Sequence, residues 1–590
     1  MDTQNLPEYM KRPALQPRRL RIVGIGAGAS GLLLAYKIQR NFINVDLTIF
    51  EKNEGVGGTW WENNYPGCAC DNFSHTYTYS FEPKTDYEGT YSTSQEIQGY
   101  FESFCHKYNL DRYIQLSHAV TRCEWDEVGA TWTVTTNDLR SGRSKKTVCD
   151  ILVNATGVLN SWKWPDVPGL DKFQGQLVHS AHWDPQVDLD QKTVGLVGNG
   201  SSGIQILPAI LPQVNRVVHV IRSPAWVVTP FGNSMPRKFT EEEKNEFADH
   251  PETHLLLRKR IEATNNSFFQ IFLKNTPECR AAKQKFTEQM REQLGSFDLA
   301  NKLIPKWPLG CRRLTPGIGY LQALQDPKTE LIYDALAEVT EAGLRTTSGR
   351  EIPVDIIICA TGFDTSFKPK YPVVGPKGQD LRDVWSDQPK GYLGLAVPEF
   401  PNYFTFLGPN CPIGNGPVLC AVEAQGDYIC KFIYRMQTED IRTVTPKMAA
   451  ADEFMKFKDT FFQTTVWSED CQSWYKLRHN NKISAVWTGS TIHYLRAVEH
   501  PRYEDWDYTY LYDNRWSFLG NGLAPDDVDP KADLAFYVRQ FDDAPIIGSK
   551  KIYEGPWVAN RGESAIGLKD TEYKEPEEVL PELPPAGPRL

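Results

Sequence analysis

Hydrophobic residues near the N-terminus are grouped first as in a strand and then spaced as in a helix, with a glycine-rich stretch between. Residues 21–23 form a short apolar-leaning run, residues 26–31 read Gly-Ala-Gly-Ala-Ser-Gly, and helical spacing follows over residues 32–40. Residues 45–50 are again apolar with strand spacing. A strand, a glycine-rich turn, a helix and a strand in this order predict a βαβ unit, which opens a doubly wound parallel sheet.

The same pattern occurs a second time further along the chain. Residues 194–197 predict a strand, residues 198–203 read Gly-Asn-Gly-Ser-Ser-Gly, and residues 204–211 begin a helix. Residues 217–221 predict the next strand. Two such units predict an α/β fold with two Rossmann-like dinucleotide-binding domains, and therefore two bound nucleotides.

The remaining pattern sets the expected domain limits. Residues 236–300 are charged and helix-like, and Thr240 and Glu243 offer a capping box, so we predict a helical insertion in the second nucleotide domain. The C-terminal tail is rich in Pro and Glu and is expected to be flexible. The expected division is a loose leader (1–19), the first nucleotide domain (20–165 and 366–570), the second (166–235 and 301–365), the insertion (236–300) and the tail (571–590).

Composition and charge narrow the class of protein. The chain is 41% hydrophobic and 23% charged, as in ordinary globular proteins, and its net charge of -10 does not favour nucleic acid as a partner. No stretch reaches the roughly 20 apolar residues that a membrane helix needs, and no signal peptide is recognised, so a cytoplasmic protein is expected. Cys68 and Cys70 are too close for a C-x-x-C pair, and free thiols without a metal site are expected.

The two glycine stretches predict how a nucleotide would be held. Both match G-x-G-x-x-G between a strand and a helix, where the first glycine makes the tight turn and the second lets the backbone approach a pyrophosphate. The alternative is that both are only tight turns. We expect one nucleotide against Gly26, Gly28, Ser30 and Gly31, and the other against Gly198, Gly200, Ser201, Ser202 and Gly203.

The residue after the second strand of each unit separates the cofactors. Glu51 follows the first unit, and a carboxylate there accepts hydrogen bonds from a ribose diol, which fits FAD or NAD. Arg222 takes the matching position in the second unit and would pair with a 2′-phosphate, which fits NADP; the alternative is a surface ion pair. Gly57 to Trp60 follows closely and suggests a flavin wall. Two Ala-Thr-Gly stretches, at 155–157 and 360–362, are expected where the chain passes between the nucleotide domains.

Further motifs resemble one enzyme family over nearly the whole chain. Phe173, Gly175, His179 and Trp183 have the spacing F-x-G-x-x-x-H-x-x-x-W, which resembles the fingerprint of type I Baeyer–Villiger monooxygenases. The family's G-G-x-W, Y-P-G and D pattern is also similar to residues 57–60, 65–67 and 71, and all motifs occur in the family's order. The stretches 487–490 and 493–494 resemble a fungal branch that acts on bulky or polycyclic ketones in secondary metabolism.

The resemblance implies a reaction and a set of roles. NADPH would reduce FAD, reduced flavin would form a C4a-peroxide with O2, and the ketone would become an ester or lactone. Arg313 resembles the family's essential arginine, Asp71 the carboxylate that holds it, Arg312 a basic NADP contact, and Trp474 the mobile-loop tryptophan that closes over the nicotinamide side. The expected flavin contacts also include Gly58, Thr59, Trp60, Asp71 and Tyr77.

Some positions depart from the family or leave alternatives open. Residues 68–70 read Cys-Ala-Cys where some relatives have an arginine, and the loop at 410–417 differs from the bacterial members. His179 could act as a linker hinge, pack, or take part in catalysis. The rival functions are an N- or S-oxygenase without need of Arg313, a disulfide reductase, and a non-enzymatic flavoprotein. The oligomeric state is open, with a monomer plausible.

Overall fold

The computed structural model describes residues 6–228, 236–412, 414, 416, 418–535 and 538. The predicted tail at 571–590 and the end of the first predicted nucleotide domain lie outside the described residues. None of the helices in these ranges combines the length and the apolar character that a membrane-spanning segment needs.

A first sheet of five parallel strands carries the N-terminal glycine loop. Most residues of its strands are buried, so the strands appear in the sequence as nearly continuous apolar runs. In spatial order they are β19 (Tyr403–Thr405), β7 (Ile151–Asn154), β1 (Leu20–Ile25), β2 (Val45–Phe50) and β3 (Ile114–Gln115), numbered along the chain. Helix α1 (Ala29–Asn41) follows β1, and Leu20 of β1 pairs with Val45 of β2, as the first βαβ prediction requires.

A second sheet of five parallel strands repeats this arrangement around the other glycine loop. In spatial order its strands are β13 (Thr329–Tyr333), β10 (Arg216–Ile221), β9 (Thr193–Val197), β17 (Ile356–Cys359) and β8 (Gln176–His179). Helix α4 (Ser201–Ile210) follows β9. The predicted α/β fold with two dinucleotide-binding units is confirmed by these sheets.

The described residues also form smaller sheets. A four-stranded sheet contains β4 (His118–Asp126), β5 (Thr131–Asp138), β6 (Ser144–Cys149) and β18 (Val373–Val374). A three-stranded sheet contains β14 (Leu336–Val339), β15 (Gly343–Thr346) and β16 (Glu351–Pro353). Two pairs complete the set: β11 (Val227–Val228) with β12 (Thr315–Pro316), and β20 (Ile441–Pro446) with β21 (Trp506–Tyr510).

Four helices form the region predicted as an insertion: α5 (Glu241–Asp249), α6 (Pro251–Ser267), α7 (Pro277–Leu294) and α8 (Phe297–Leu303). The predicted capping box is confirmed, because Thr240 accepts from the backbone of Glu243 and the Glu243 side chain accepts in return. The limits of all domains stay predictions. The other helices are α2 (Thr59–Glu62), α3 (Ser94–Lys107), α9 (Tyr320–Ala323), α10 (Leu381–Val384), α11 (Val418–Thr438), α12 (Met448–Phe462), α13 (Thr491–Glu499) and α14 (Pro525–Val528).

Helix α1, which follows the first glycine loop, packs against helix α11 through apolar side chains. Leu33 on α1 and Ile429 on α11 are both fully buried, and a Cβ added to Gly426 would lie 3.2 Å from Leu33. Burying each such side chain stabilises the fold by roughly 1.5–3 kcal/mol. Truncating Leu33 to alanine would cost about 2–5 kcal/mol and loosen the base of the loop.

Residues 6–19, predicted as a loose leader, are held against the C-terminal part of the chain. Arg12 forms an ion pair with Asp440, whose side chain is 2% exposed. Arg18 donates to two main-chain carbonyl oxygens, at 2.9 and 2.8 Å, one of them that of Ile441. The prediction of a loose leader is wrong for these residues, because their charged side chains are partners of buried groups on distant elements.

Candidate functional site

The first glycine loop joins β1 to α1 through conformations that glycine adopts readily. Gly26 has a φ of +101°, and a Cβ added there would lie 2.7 Å from the carbonyl oxygen of Ala155. A Cβ on Gly31 would lie 1.9 Å from the carbonyl oxygen of Gly26. Gly28 is the N-cap of α1, where no side chain caps the helix, and Ser30 is buried in the first turn. The N-terminus of α1 is therefore suited to an anion such as a pyrophosphate.

Glu51 follows β2 and lies against this loop. Its side chain is buried, and its two oxygens accept hydrogen bonds from the backbone N–H groups of Ala27 at 2.7 Å and Asn53 at 2.9 Å. Burial raises the pKa of Glu51, and the two backbone hydrogen bonds oppose that shift. The structure thus places the carboxylate beside the loop; its contact with a ribose stays a prediction.

Residues from the G-G-T-W stretch cover the first loop. Gly58 has a φ of +58°, and a Cβ there would lie 3.0 Å from the Cα of Gly28. Thr59 and Trp60 begin α2. The indole Nε1 of Trp60 donates to the hydroxyl of Tyr77 at 3.2 Å, and the two rings meet edge to face with centroids 5.4 Å apart. Trp60 therefore stands on the segment that crosses the first loop, and Tyr77 packs against it from a later segment.

The second glycine loop repeats the backbone of the first. Gly198 has a φ of +102°, and a Cβ there would lie 2.5 Å from the carbonyl oxygen of Ala360. A Cβ on Gly203 would lie 2.2 Å from the carbonyl oxygen of Gly198. A Cβ on Gly200, the N-cap of α4, would meet no heavy atom of the described chain within 4 Å. The remaining predicted loop residues, Ser201 and Ser202, form the first turn of α4.

Two arginines lie together next to the second loop. Arg222 follows β10, is exposed, and donates to the side-chain oxygen of Gln472 at 3.1 Å. Arg312 donates to the hydroxyl of Ser223 at 3.2 Å, and its guanidinium lies 4.5 Å from the ring centroid of Trp307. Burial lowers the pKa of Arg312, and the Arg222 cation lowers it further. The buried Nε of Arg312 finds no hydrogen-bond partner within the described ranges, so the pair is suited to an anion.

The side chain of Arg313, the next residue, contacts the first nucleotide unit. Its Nε donates to Oδ2 of Asp71 at 2.8 Å, and its Nη2 donates to Oδ1 at 2.8 Å. The Asp71 charge raises the pKa of Arg313, although burial opposes the shift. The side chains are 30% and 17% exposed. The expected contact is therefore present as a two-pronged ion pair, which fixes the plane of the guanidinium.

The fingerprint histidine lies where the chain passes between the two units. His179 ends β8, its Nε2 is 3.3 Å from the Thr361 hydroxyl, and its ring stacks on Trp162 at 4.7 Å. Trp162 in turn pairs with Phe363 in an isolated antiparallel bridge. Burial lowers the pKa of His179 to about 4, so the ring is neutral at physiological pH. These contacts support a role in linking the units.

The other fingerprint residues make packing contacts. A Cβ on Gly175 would lie 2.2 Å from the carbonyl oxygen of Asp355, so glycine is needed for this close approach. Phe173 packs on the apolar cluster that includes β17 residues, and Trp183 packs on the cluster around α4.

The predicted mobile-loop tryptophan lies on a segment cross-linked to the arginine loop. Trp474 is partly buried, with its ring centroid 4.7 Å from that of Tyr475. Three residues earlier, Cys471 forms a disulfide with Cys311, with a Cα–Cα distance of 6.4 Å. No sequence motif predicted this pair, because the fold joins cysteines separated by 160 residues.

Cys68 and Cys70 are buried and unpaired. Burial raises the pKa of Cys68 to about 11 and that of Cys70 further, so both remain thiols near neutrality. This does not favour a dithiol reductase that uses these two residues.

Comparison with known proteins identifies the family. Residues 19–238 match the model of a family described as flavin-binding monooxygenase-like. The chain is 39% identical to an FAD-binding monooxygenase of Aspergillus terreus, across 89% of this chain and 96% of that protein. It is 33% identical to a Baeyer–Villiger monooxygenase of Streptomyces coelicolor, across 81% of this chain and 91% of that protein. The chain belongs to the Baeyer–Villiger monooxygenase family.

A solved structure of the Baeyer–Villiger family has the same fold. The crystal structure of cyclohexanone monooxygenase from Rhodococcus sp. Phi1 bound to NADP+ aligns with a TM-score of 0.73 and 26% identity, covering 84% of this chain and 100% of that one. The predicted family resemblance is therefore confirmed.

Sequence reasoning missed several residues around this site. Trp307 lies under Arg312, Gln472 accepts from Arg222, and Tyr475 interacts with Arg313. Tyr475 is adjacent to the predicted Trp474, and this position beside a family motif was the one sequence signal that could have identified it. Trp307 and Gln472 carry no motif, and only the fold brings them to the arginines.

Proposed function

We propose that this Baeyer–Villiger monooxygenase holds FAD on the first glycine loop and NADPH on the second, and uses O2 to convert a ketone to an ester or lactone. One observation carries the proposal. The neighbouring residues Arg312 and Arg313 serve different units: Arg312 lies beside Arg222, and Arg313 pairs with Asp71. A single short loop thus reaches the sites of both predicted nucleotides.

The first unit fits a flavin dinucleotide. Gly26 and Gly31 leave room for no side chain, the N-terminus of α1 suits a pyrophosphate, and Trp60 and Tyr77 provide aromatic surface nearby. A bound flavin supplies hydride acceptance and the activation of O2. The chain itself would bind and orient the flavin and place charged side chains around it.

The second unit fits NADPH. Arg222 offers an exposed guanidinium after β10, and the buried Nε–H of Arg312 has no hydrogen-bond acceptor among the described residues. A guanidinium binds phosphate through two parallel N–H donors and stays charged at all physiological pH values. We therefore assign the 2′-phosphate of NADPH to these two side chains.

Arg313 would act on the ketone. Its guanidinium cannot be deprotonated, so it keeps a permanent positive charge that stabilises the negative charge developing on the substrate oxygen. Asp71 holds the guanidinium through both of its carboxylate oxygens and thereby fixes where its remaining N–H groups point. Both residues take the roles that the family resemblance predicts.

A bulky or polycyclic ketone is the substrate class we favour, on the resemblance of residues 487–490 and 493–494 to the fungal branch. In the structure Trp487 donates through Nε1 to His493 at 2.9 Å, so the two stretches form one unit. A cytoplasmic location and a monomeric state also stay predictions.

Product analysis by mass spectrometry tests the proposed reaction. The purified enzyme is incubated with NADPH under ¹⁸O2 and a panel of small cycloalkanones, steroid ketones and polycyclic ketones, with a tertiary amine and a thioether as controls. We expect one labelled oxygen in an ester or lactone, and the best ketone to be among the larger ones.

Oxidation of the amine or thioether alone would overturn this reaction and favour the N- or S-oxygenase. A protein that stays colourless and inactive with added FAD would instead favour the non-enzymatic alternative. A small cycloalkanone as the best substrate would overturn only the proposed substrate class.

A further inference from the structure

Helix α4 of the second unit contacts the segment that leads to Asp71. The side-chain Nε2 of Gln205, on α4, donates to the carbonyl oxygen of Ala69 at 2.9 Å, and its Oε1 accepts from the hydroxyl of Tyr65 at 2.7 Å. A carbonyl oxygen only accepts hydrogen bonds, so the NH2 group of Gln205 must face Ala69. One side chain therefore bridges both ends of the segment 65–69, which stops two residues before Asp71.

The same segment packs closely on α4. A Cβ added to Gly67 would lie 2.6 Å from the carbonyl oxygen of Gln205 and 2.9 Å from the Cβ of Ala209. Tyr65 and Cys68 are buried in the apolar cluster that includes residues of α4. This segment thus packs with the second unit, although predicted flavin contacts lie before and after it in the chain.

The residues just before Asp71 are also bonded to the start of helix α3. The backbone N–H of Cys70 donates to the carbonyl oxygen of Ser92 at 2.9 Å. Ala69 forms an isolated antiparallel bridge with Thr93, the N-cap of α3. Hydrogen bonds from two separate parts of the chain therefore hold the main chain that leads to Asp71.

The face of α4 that carries Gln205 also contacts the segment that follows Arg313. Ser201 and Gln205 are four residues apart, so their side chains lie on one face of the helix. The hydroxyl of Ser201 is 3.0 Å from that of Thr315, which is buried and lies two residues after Arg313. Asp71 and Arg313, the two partners of the ion pair, therefore each lie two residues from a position that α4 contacts.

We propose that Gln205 is a positioning residue for Asp71, and through Asp71 for Arg313. The bond from Gln205 to Ala69 fixes the main chain that carries Asp71 on the helix whose N-terminus we assign to NADPH. A displaced carboxylate would turn the guanidinium away from the substrate oxygen, and a misplacement of about 1 Å can cost on the order of a hundredfold in rate. This inference rests on the proposed function of Arg313.

The Gln205→Met variant tests the positioning role, because methionine is also unbranched and cannot donate to Ala69. We expect the KM for NADPH and the rate of flavin reduction to be unchanged. Ester or lactone formation should fall about tenfold or more, with the two electrons of the consumed NADPH ending on O2 as hydrogen peroxide. We also expect faster hydrogen–deuterium exchange at residues 68–72 of the purified protein, because the main chain there loses a bond to α4.

Gln437→Met is the matched control. The Nε2 of Gln437, on α11, donates to the carbonyl oxygens of Arg18 and Ile43 at 3.0 and 2.6 Å, so the same substitution removes the same kind of bond from a helix to a distant segment. We expect a lower melting temperature without added peroxide or faster exchange at residues 68–72. Equal peroxide yields from the two variants would overturn the assignment of Gln205, and so would wild-type peroxide yield and exchange in Gln205→Met.

Two further variants separate the two hydrogen bonds of Gln205. Gln205→Glu keeps an acceptor for the hydroxyl of Tyr65, but an ionised carboxylate cannot donate to Ala69. Tyr65→Phe removes the bond to the hydroxyl and leaves the donor to Ala69 in place. We expect Gln205→Glu to give as much peroxide as Gln205→Met, and Tyr65→Phe to stay closer to the wild type. The reverse order would overturn the route through Ala69.

Failure of this proposal and failure of the proposed function give different results. If the wild-type enzyme forms no ester or lactone from any ketone of the panel, the proposed function fails. The exchange data then decide alone whether Gln205 holds the main chain before Asp71. Faster exchange at residues 68–72 in Gln205→Met but not in Gln437→Met would support that role, and equal exchange in the two variants would overturn it.

Discussion

The two glycine loops have the same backbone conformation and differ in the residues that surround them. Gly26 and Gly198 have φ values of +101° and +102°, and an added Cβ would meet the carbonyl oxygen of Ala155 or Ala360 at 2.7 or 2.5 Å. The Ala-Thr-Gly stretches thus back both loops in the same way. The turn conformation is therefore common to both sites and does not distinguish the nucleotides.

The residues around each loop distinguish the two nucleotide sites. The first loop is covered by Gly58 and contacted by the buried carboxylate of Glu51. At the second loop, a Cβ on Gly200 would meet no atom of the described residues within 4 Å, and an exposed arginine, Arg222, lies nearby. We infer that the first site keeps its cofactor through turnover and the second exchanges its cofactor in every cycle. Four predictions test this difference, from the largest expected effect to the smallest.

Arg313→Ala should have the largest effect, because we propose that the Arg313 charge stabilises the negative charge that develops on the substrate oxygen. We expect ketone oxygenation to fall by at least about 10²–10³-fold, the usual cost of removing an oxyanion-stabilising donor. Flavin content and flavin reduction by NADPH should remain, as measured by stopped-flow absorbance without O2. A parallel loss of reduction would remove Arg313 from the oxygenation step and make it a cofactor contact.

A pair of glycine variants should separate the two loops. In Gly31→Ala the new Cβ would lie 1.9 Å from a backbone oxygen, so the first loop must shift, at a cost of about 1–3 kcal/mol or more. We expect a lower melting temperature and loss of FAD on purification. In Gly200→Ala the new Cβ would meet no described residue within 4 Å, and we expect the variant to keep its stability and FAD while its KM for NADPH rises. Loss of FAD from both variants would contradict the assignment of the loops.

Arg222→Ala should change the coenzyme preference. Loss of a charge-assisted hydrogen bond to a 2′-phosphate is expected to lower kcat/KM for NADPH by about tenfold or more and to leave NADH nearly unaffected. FAD content should not change. Steady-state kinetics with both coenzymes measure this, and an equal loss for NADPH and NADH would point to a structural effect at Gln472 instead.

Glu51→Gln should have the smallest effect, a change in how the free energy of unfolding depends on pH. Because the folded-state pKa of Glu51 is raised, its contribution to stability is fully present below the unfolded pKa and is lost as pH rises through the folded pKa. We therefore expect the FAD-free wild type to lose some stability as pH rises from the ordinary carboxyl range. The variant should lose less over the same window, by thermal unfolding in matched buffers. An identical pH dependence would contradict the raised pKa.

Local patterns predicted the two nucleotide units, and the family resemblance predicted the ion pair between Asp71 and Arg313. A glycine at a positive φ next to a strand and a helix is a local constraint, so residues 26–31 and 198–203 could be recognised from the sequence. The contact between Asp71 and Arg313 came from the family motifs, since nothing in the spacing of 242 residues indicates it.

Contacts between distant segments could not be predicted in this way. The Cys311–Cys471 bond spans 160 residues, and neither cysteine has a diagnostic neighbour. In the sequence, nothing in the leader indicates that its arginines have buried partners. In the structure, Arg12 pairs with the buried Asp440. In each case tertiary packing determines the partner, and a single sequence carries no record of it.

The retention of the two nucleotides on a desalting column tests the difference between the loops most directly. The wild-type protein is saturated with FAD and NADP+, desalted, and denatured, and both nucleotides are quantified in the protein and small-molecule fractions. We expect FAD to elute with the protein in near-equimolar amount and NADP+ to be recovered in the small-molecule fraction. Retention of NADP+ with loss of FAD would contradict the assignment of the closed loop to a resident flavin and the open loop to an exchanging coenzyme.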